Sequence, residues 1–261
     1  MFGVIAGDVI GSRFEWAPIK TIDFPLFHPL CSFTDDTVLT VATASALLRG
    51  TPFDQAYLDF GRRYPKAGYG GNFHKWLAAT EPRPYHSYGN GSAMRVAPVG
   101  WACADEQGVL REAKRSAEVT HDHPEGVKGA QATALAVFMA RGGASKDEIR
   151  AGIATRFGYD LDRTVDQIRP TYYFDVTCQG TVPEALIAFF ESRDYESAVR
   201  LAVSLGGDSD TLAAITGGVA QAFYRVVPNA IVEEVRGRLP EEFREIVDEF
   251  EGRFGMGRWD S

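Results

Sequence analysis

Asp208-Ser209-Asp210-Thr211-Leu212-Ala213-Ala214-Ile215-Thr216-Gly217-Gly218-Val219-Ala220-Gln221-Ala222-Phe223 is the stretch on which the fold turns. From Thr211 onward it is apolar almost all round, and helices of that kind sit at the centre of a larger domain. Ala213, Ala214, Gly217, Gly218 and Ala220 carry so little side chain that another helix can approach closely. A second run of the same character, 37–48, follows Thr34-Asp35-Asp36-Thr37. The two runs predict two buried helices whose N-termini, with their acidic clusters, face one surface. Near the start, Gly3, Gly7 and Gly11 lie four apart. That spacing bares one helix face for close packing.

Helical patterns dominate the rest of the chain. Thr34 is a good N-cap group for 34–48, and Gly50-Thr51-Pro52 stops that helix. Amphipathic or apolar helical patterns follow at 53–63, 91–104, 108–119 and 124–141. Ser145-Lys146-Asp147-Glu148 has the form of a capped start to 149–157. Further helices are expected at 182–191, 195–205, 210–226, 229–239 and 240–250. Residues 65–90 are rich in glycine, proline and aromatics and read as long loops, with one short helix near 73–79. The segment 163–179 stays open between helix and a short extended piece at 172–176. The expectation is an all-α fold, a compact single-domain bundle over 1–261.

Composition narrows the classes. A chain of 261 residues that is 45% hydrophobic can bury a full core. No apolar run reaches the roughly 20 residues of a membrane helix. The first ten residues lack a basic region and contain Asp8, so they do not read as a secretory signal. Cys31, Cys103 and Cys178 are odd in number and widely spaced, which points to a reducing, cytoplasmic setting. The net charge of −8, from 35 acidic and 27 basic residues, speaks against a nucleic-acid binder.

The acidic clusters carry the chemistry. Either one alone reads equally well as a helix cap. Together, Asp35, Asp36, Asp208 and Asp210 supply more negative charge than two caps need. Gathered in one place they would repel each other unless cations were present. Carboxylates flanked by threonine hydroxyls are the hard oxygen ligands of magnesium and manganese. Two such groups converging describe a two-metal hydrolytic site. Two glycine-rich loops, 68–72 and 87–92, precede helical patterns and read either as turns or as phosphate cradles. Tyr69, Phe73, Tyr85 and Tyr88 are candidate stacking rings. In Thr120-His121-Asp122-His123-Pro124, Asp122 is the expected helix cap. A lone His-Asp dipeptide is too little for the metal phosphohydrolase signature of that type.

These pieces resemble the ADP-ribosylglycohydrolase family. The matching segments are GVIAGDVIGSRFE at 3–15, FTDDT at 33–37, SYGNGSAMRVAPVG at 87–100, TH at 120–121 and LGGDSDTLAAITGGVAQAF at 205–223. The resemblance implies an all-α orthogonal helical bundle with a binuclear magnesium (or manganese) site at one end. It implies metal ligands at Thr34, Asp35, Asp36, Asp208, Asp210 and Thr211, and catalytic roles for Asp35 and Glu15. Glu15 matches a flexible glutamate that approaches the metals in some members. Gly68 and Gly70 match a loop along the distal ribose and diphosphate. Ser87, Tyr88, Gly89 and Asn90 match a loop gripping the diphosphate and adenosine side, and His121 a substrate-contacting histidine. The loop before Ser87 lacks the phenylalanine that some members set against adenine, leaving Tyr88 or Tyr85 for that place. The implied activity is metal-dependent removal of ADP-ribose from a modified protein or small molecule; a monomer is the separate expectation for the chain. A nucleic acid would enter only as a modified acceptor, and no membrane is involved. The alternatives are a non-enzymatic ADP-ribose binder and a different metal-dependent nucleotide phosphohydrolase.

Overall fold

The computed structural model describes residues 1–255; the end of the expected domain, 256–261, lies outside the described residues. In chain order the helices are α1 (Phe2–Gly11), α2 (Asp35–Arg49), α3 (Phe53–Arg63), α4 (Gly71–Ala78), α5 (Gly91–Met94), α6 (Ala97–Ala102), α7 (Glu106–Glu118) and α8 (Pro124–Arg141). They continue as α9 (Lys146–Phe157), α10 (Val165–Ile168), α11 (Cys178–Glu191), α12 (Tyr195–Leu205), α13 (Ser209–Tyr224), α14 (Asn229–Arg236) and α15 (Glu241–Phe254). A 3₁₀ turn, Ser12–Phe14, follows α1. No strand forms among the described residues, and the fold is all-α as expected. Among the described residues no helix is long and apolar enough to cross a membrane.

Helix α13 is the axis. Every residue from Ser209 to Ala222 is buried, and α1, α8, α11 and α12 pack around it. Helix α1 is buried along its whole length. Its glycine face meets α13 backbone to backbone. A Cβ on Gly3 would lie 2.4 Å from the Gly217 carbonyl oxygen, one on Gly7 2.0 Å from that of Ala213, and one on Gly11 2.4 Å from that of Ser209. No side chain larger than hydrogen fits at that separation. Helix α2 packs on α1, α3, α6 and α15, and its N-terminus comes to the same end of the molecule as that of α13.

The structure departs from the sequence reading in three places. The helix expected at 91–104 is two short ones, broken at Arg95 and Val96. Pro98 has no N–H for the Met94 carbonyl four residues back and its ring crowds that group. The Met94 carbonyl accepts from the Thr40 hydroxyl instead. The cap of α8 is His123, whose Nδ1 accepts from the Glu125 N–H, and not Asp122. Asp122 accepts from the His86 N–H at 2.7 Å. The open segment 163–179 resolves into α10, an irregular stretch, and an α11 that starts at Cys178, four residues earlier than expected. One antiparallel bridge, Gly89 to Thr177, ties the irregular stretch to the loop ahead of α5.

The glycine contact sets a stability test. Gly7→Ala should destabilise the fold by at least about 3 kcal/mol, because its Cβ would meet backbone that cannot yield. Gly252→Ala in α15, with open space around it, should instead stabilise by about 0.5–1 kcal/mol. Denaturant unfolding of the two variants measures the difference; equal effects would sink the packing argument.

Candidate metal centre

Asp8 on α1 organises the first acidic cluster. Fully buried, it accepts from the Thr34 N–H at 2.9 Å, the Thr34 hydroxyl at 2.8 Å, the Thr37 N–H at 3.1 Å and the Thr37 hydroxyl. The Thr34 hydroxyl in turn accepts from the Asp36 N–H at 3.3 Å. The exposed donors at the start of α2 are thus met by a threonine and by a carboxylate from another helix. Asp35 and Asp36 are not needed as caps, and both line the cavity described below.

Asp36 receives the Thr211 hydroxyl on Oδ2 at 3.3 Å, while its buried Oδ1 has no partner. Asp210 Oδ1 is likewise buried without a partner. Asp208 Oδ2 accepts from Asn90 Nδ2 at 2.7 Å. One oxygen each of Glu15, Asp208 and Asp210 falls within 4.8 Å of the others. The two clusters, 174 residues apart in the case of Asp36 and Asp210, therefore share one site.

Burial and mutual repulsion dominate the electrostatics. Burial first, then neighbouring carboxylates, holds Asp35 and Asp36 well above the usual carboxylate range. Asp210 is raised in the same way, by burial and by Asp208. Burial pushes Asp208 up to about 6, against the pull of its hydrogen bonds. Asp8 rises to about 6 by burial despite its four donors. Glu15 reaches about 7 through burial and the charges of Asp210 and Asp8, opposed by a hydrogen bond from the Trp16 side chain. Every group acting on Asp36 pushes the same way. Partnerless buried oxygens, an all-oxygen donor set and uncompensated negative charge fit hard divalent cations. Asp35, Asp36, Asp208, Asp210, Glu15 and Thr211, which line the cavity, could hold such ions.

A cavity of about 500 Å³ opens over this site. Its walls include Gly68, Gly70, Ser87, Gly89, Asn90 and His121, besides the acidic residues and Thr211. Gly68 has φ +100°, and a Cβ there would approach Asp35 Oδ1 at 3.5 Å. Of the residues singled out from the sequence, Thr34 and Tyr88 do not line it. Thr34 lies behind Asp36, bonded to Asp8. The Tyr88 ring is half exposed and sits 5.4 Å from that of His123. Tyr85, Tyr69 and Phe73 do face the cavity.

Sequence reasoning missed four residues of the site. Asp8 was legible as one acid in an otherwise apolar run, a residue that must find donors if buried. Trp16 and Phe174, stacked at 5.3 Å on the rim, carried no pattern, because they meet across 158 positions. Arg95, wholly buried yet part of the cavity wall, has no local signal that sets it apart from other arginines.

Packed helices place an oxygen-lined acidic centre under a ligand-sized cavity. The sequence matches the ADP-ribosylglycohydrolase family over residues 1–258, and the chain belongs to that family and with it to the glycosidic hydrolases. It is 28% identical to human (Homo sapiens) ADP-ribosylhydrolase ARH3 over 302 aligned positions, covering 85% of this chain and 83% of that one. It is 26% identical to the ADP-ribosylarginine hydrolase Tri1 of Pseudomonas putida (strain GB-1), covering 90% of this chain and 72% of that one. A solved structure described as an ADP-ribosylglycohydrolase-related protein complex superposes with a TM-score of 0.76 at 28% identity, over 98% of this chain and 96% of the other.

The raised carboxylates fix a pH dependence. A folded-state pKa above the unfolded value means that the folded chain binds the proton more tightly, so stability falls as pH rises between the two. In chelator-treated protein, stability should fall between about pH 4 and pH 7, the span from the ordinary carboxylate values to those of Asp8, Asp208 and Glu15. Magnesium should raise the melting temperature more at pH 8 than at pH 5, since protons compete for the same oxygens. Asp210→Asn should flatten both trends in thermal melts; unchanged slopes in that variant would refute the shared site.

Proposed function

We propose that the chain hydrolyses the bond between the anomeric carbon of ADP-ribose and a group carried by a modified acceptor, with two Mg2+ ions (or Mn2+) as cofactors. The observation that carries this reading is the pair of buried, partnerless oxygens, Asp36 Oδ1 and Asp210 Oδ1, beneath a cavity of about 500 Å³. That volume suits a nucleotide-sized ligand. The names of the relatives, ADP-ribosylhydrolase and ADP-ribosylarginine hydrolase, support the substrate class.

Bound divalent ions would supply Lewis acidity toward ribose hydroxyls and water. The remaining chemistry belongs to side chains. Asp35 takes the proton of the attacking water; burial and neighbouring carboxylates raise its pKa well above the ordinary value, which makes it a stronger base than a free carboxylate. Water oxygen bonds to the anomeric carbon, the bond to the acceptor breaks, and the acceptor leaves with a proton. Glu15, half-buried beside Asp210 with a pKa of about 7, is the second proton-transfer candidate. The glycine loops at Gly68, Gly70, Ser87, Gly89 and Asn90, with His121, hold the rest of the ligand. The products are ADP-ribose and the unmodified acceptor. We propose further that the whole sequence forms one domain and works as a monomer in the cytoplasm, which its free thiols suit.

A panel of arginine-, serine- and O-acetyl-linked ADP-ribose substrates, assayed with each metal and followed by mass spectrometry, tests the reaction. Asp35→Asn and Asp210→Asn should each reduce turnover by ~100-fold or more while keeping the cooperative thermal transition. Inorganic phosphate or a mononucleotide as product would mark a phosphohydrolase. Tight ADP-ribose binding without turnover would mark a binder.

A further inference from the structure

Arg95 stands out among the cavity walls. It is wholly buried, and its guanidinium lies over the Tyr57 ring, 4.1 Å from the centroid. Nη2 donates to the Ser116 carbonyl and to the Thr120 hydroxyl, both at 3.0 Å. Nε and Nη1 have no partner. The partners of this cation are thus two neutral oxygens and a ring. Burying a charge in that way is costly unless an opposite charge is near.

We propose that Arg95 is a positioning residue that acts through Thr120 to hold His121 as the Nε2–H tautomer, so that the imidazole donates into the cavity to a phosphoryl oxygen of the ligand. The ligand half of this inference rests on the ADP-ribose reading above. A guanidinium can only donate, so the Thr120 oxygen accepts from it and the single Thr120 proton must go elsewhere. His121 Nδ1 lies 2.7 Å from that oxygen. Besides Arg95, the side-chain hydrogen-bond partner of that hydroxyl is His121 Nδ1, which is placed to take its proton. Nδ1 is then the acceptor and Nε2 keeps the ring proton. Nε2 abuts the glycine loop: a Cβ on Gly91 would lie 3.2 Å from it and one on Gly89 3.6 Å. Burial and the Arg95 charge lower the His121 pKa well below its ordinary value, so the ring is neutral at pH 7 and its tautomer matters. A phosphoryl group in the cavity would meet both the Nε2–H and the field of the uncompensated guanidinium.

The test is nitrogen-15 NMR of the His121 ring in the magnesium-loaded protein, paired with calorimetry of ADP-ribose. The wild type should show a bare Nδ1 and a protonated Nε2. Thr120→Val, which keeps the shape and removes the hydroxyl, should abolish that preference and weaken ADP-ribose by ~10-fold. Thr120→Ser should restore both. Arg95→Met should weaken ADP-ribose in the same direction; if it fails to fold, the two Thr120 variants carry the test. An Nδ1–H tautomer in the wild type would overturn the proposal, and so would a Thr120→Val protein with unchanged tautomer or unchanged affinity. A wild type that binds no ADP-ribose would remove the proposed function and the ligand half, while the tautomer comparison still decides the relay.

Discussion

The backbone contact between α1 and α13 is the constraint on which the site depends. Gly3, Gly7 and Gly11 bring the two helices to a separation that any Cβ would prevent. Gly11 rests against Ser209 and Asp210, so the start of α13 is fixed relative to the end of α1. Asp8 occupies the same helix one residue past Gly7 and reaches the start of α2. A single glycine-faced helix thereby sets the position of both acidic clusters. Widening that contact by the radius of a methyl group would separate the two groups of carboxylates that line the cavity. The architecture of the core and the geometry of the centre are one problem.

The second constraint is electrostatic. Buried carboxylates at such range are unfavourable when all are ionised. The folded chain resolves the conflict with protons or with cations, and the two compete. Helix N-termini ease part of the burden, since α2 and α13 both point their positive ends at the cluster. Asp8 takes the capping duty at α2, and Asp208 is tethered by Asn90. What remains are oxygens of Asp36 and Asp210 with no protein donor at all. Such atoms are tolerated only where something else completes their shell.

Much of this was legible in the sequence because its signals are local. A small-residue, all-apolar run announces a central helix, and glycines four apart announce a close approach. Acidic pairs at the head of such runs announce their own exposure to a shared cleft. The all-α class and the α3, α8 and α12 boundaries followed from periodicity and punctuation. Apart from the break at Pro98, which is local, most of the misses turn on a distant partner. Nothing near His123 says that its ring would cap α8 in place of Asp122. Trp16 needs Phe174 to become part of a rim, and Arg95 needs Thr120 and Tyr57 to be more than a helical charge. The Tyr88 ring packs against His123, outside the cavity lining, while its carbonyl accepts from the Cys178 N–H at 2.9 Å.

The cavity has two chemical ends, joined by the consecutive residues Asn90 and Gly91. Asn90 touches Asp208 at the acidic end, and Gly91 touches His121, which is linked through Thr120 to Arg95 at the cationic end. Between them the Asn90 N–H donates to the Val176 carbonyl at 2.7 Å, and the Asn90 side chain also reaches Thr181 at 3.1 Å. The strap is therefore held by backbone on one side and by α11 on the other. A ligand with hydroxyls at one end and phosphoryl oxygens at the other meets complementary groups at both ends without bending the strap. A ligand carrying only one of those groups leaves either partnerless carboxylates or an unanswered guanidinium, both buried. On the proposed function, selectivity for the bifunctional ligand would follow from the cost of those unmet groups, and not from the shape of the cavity alone.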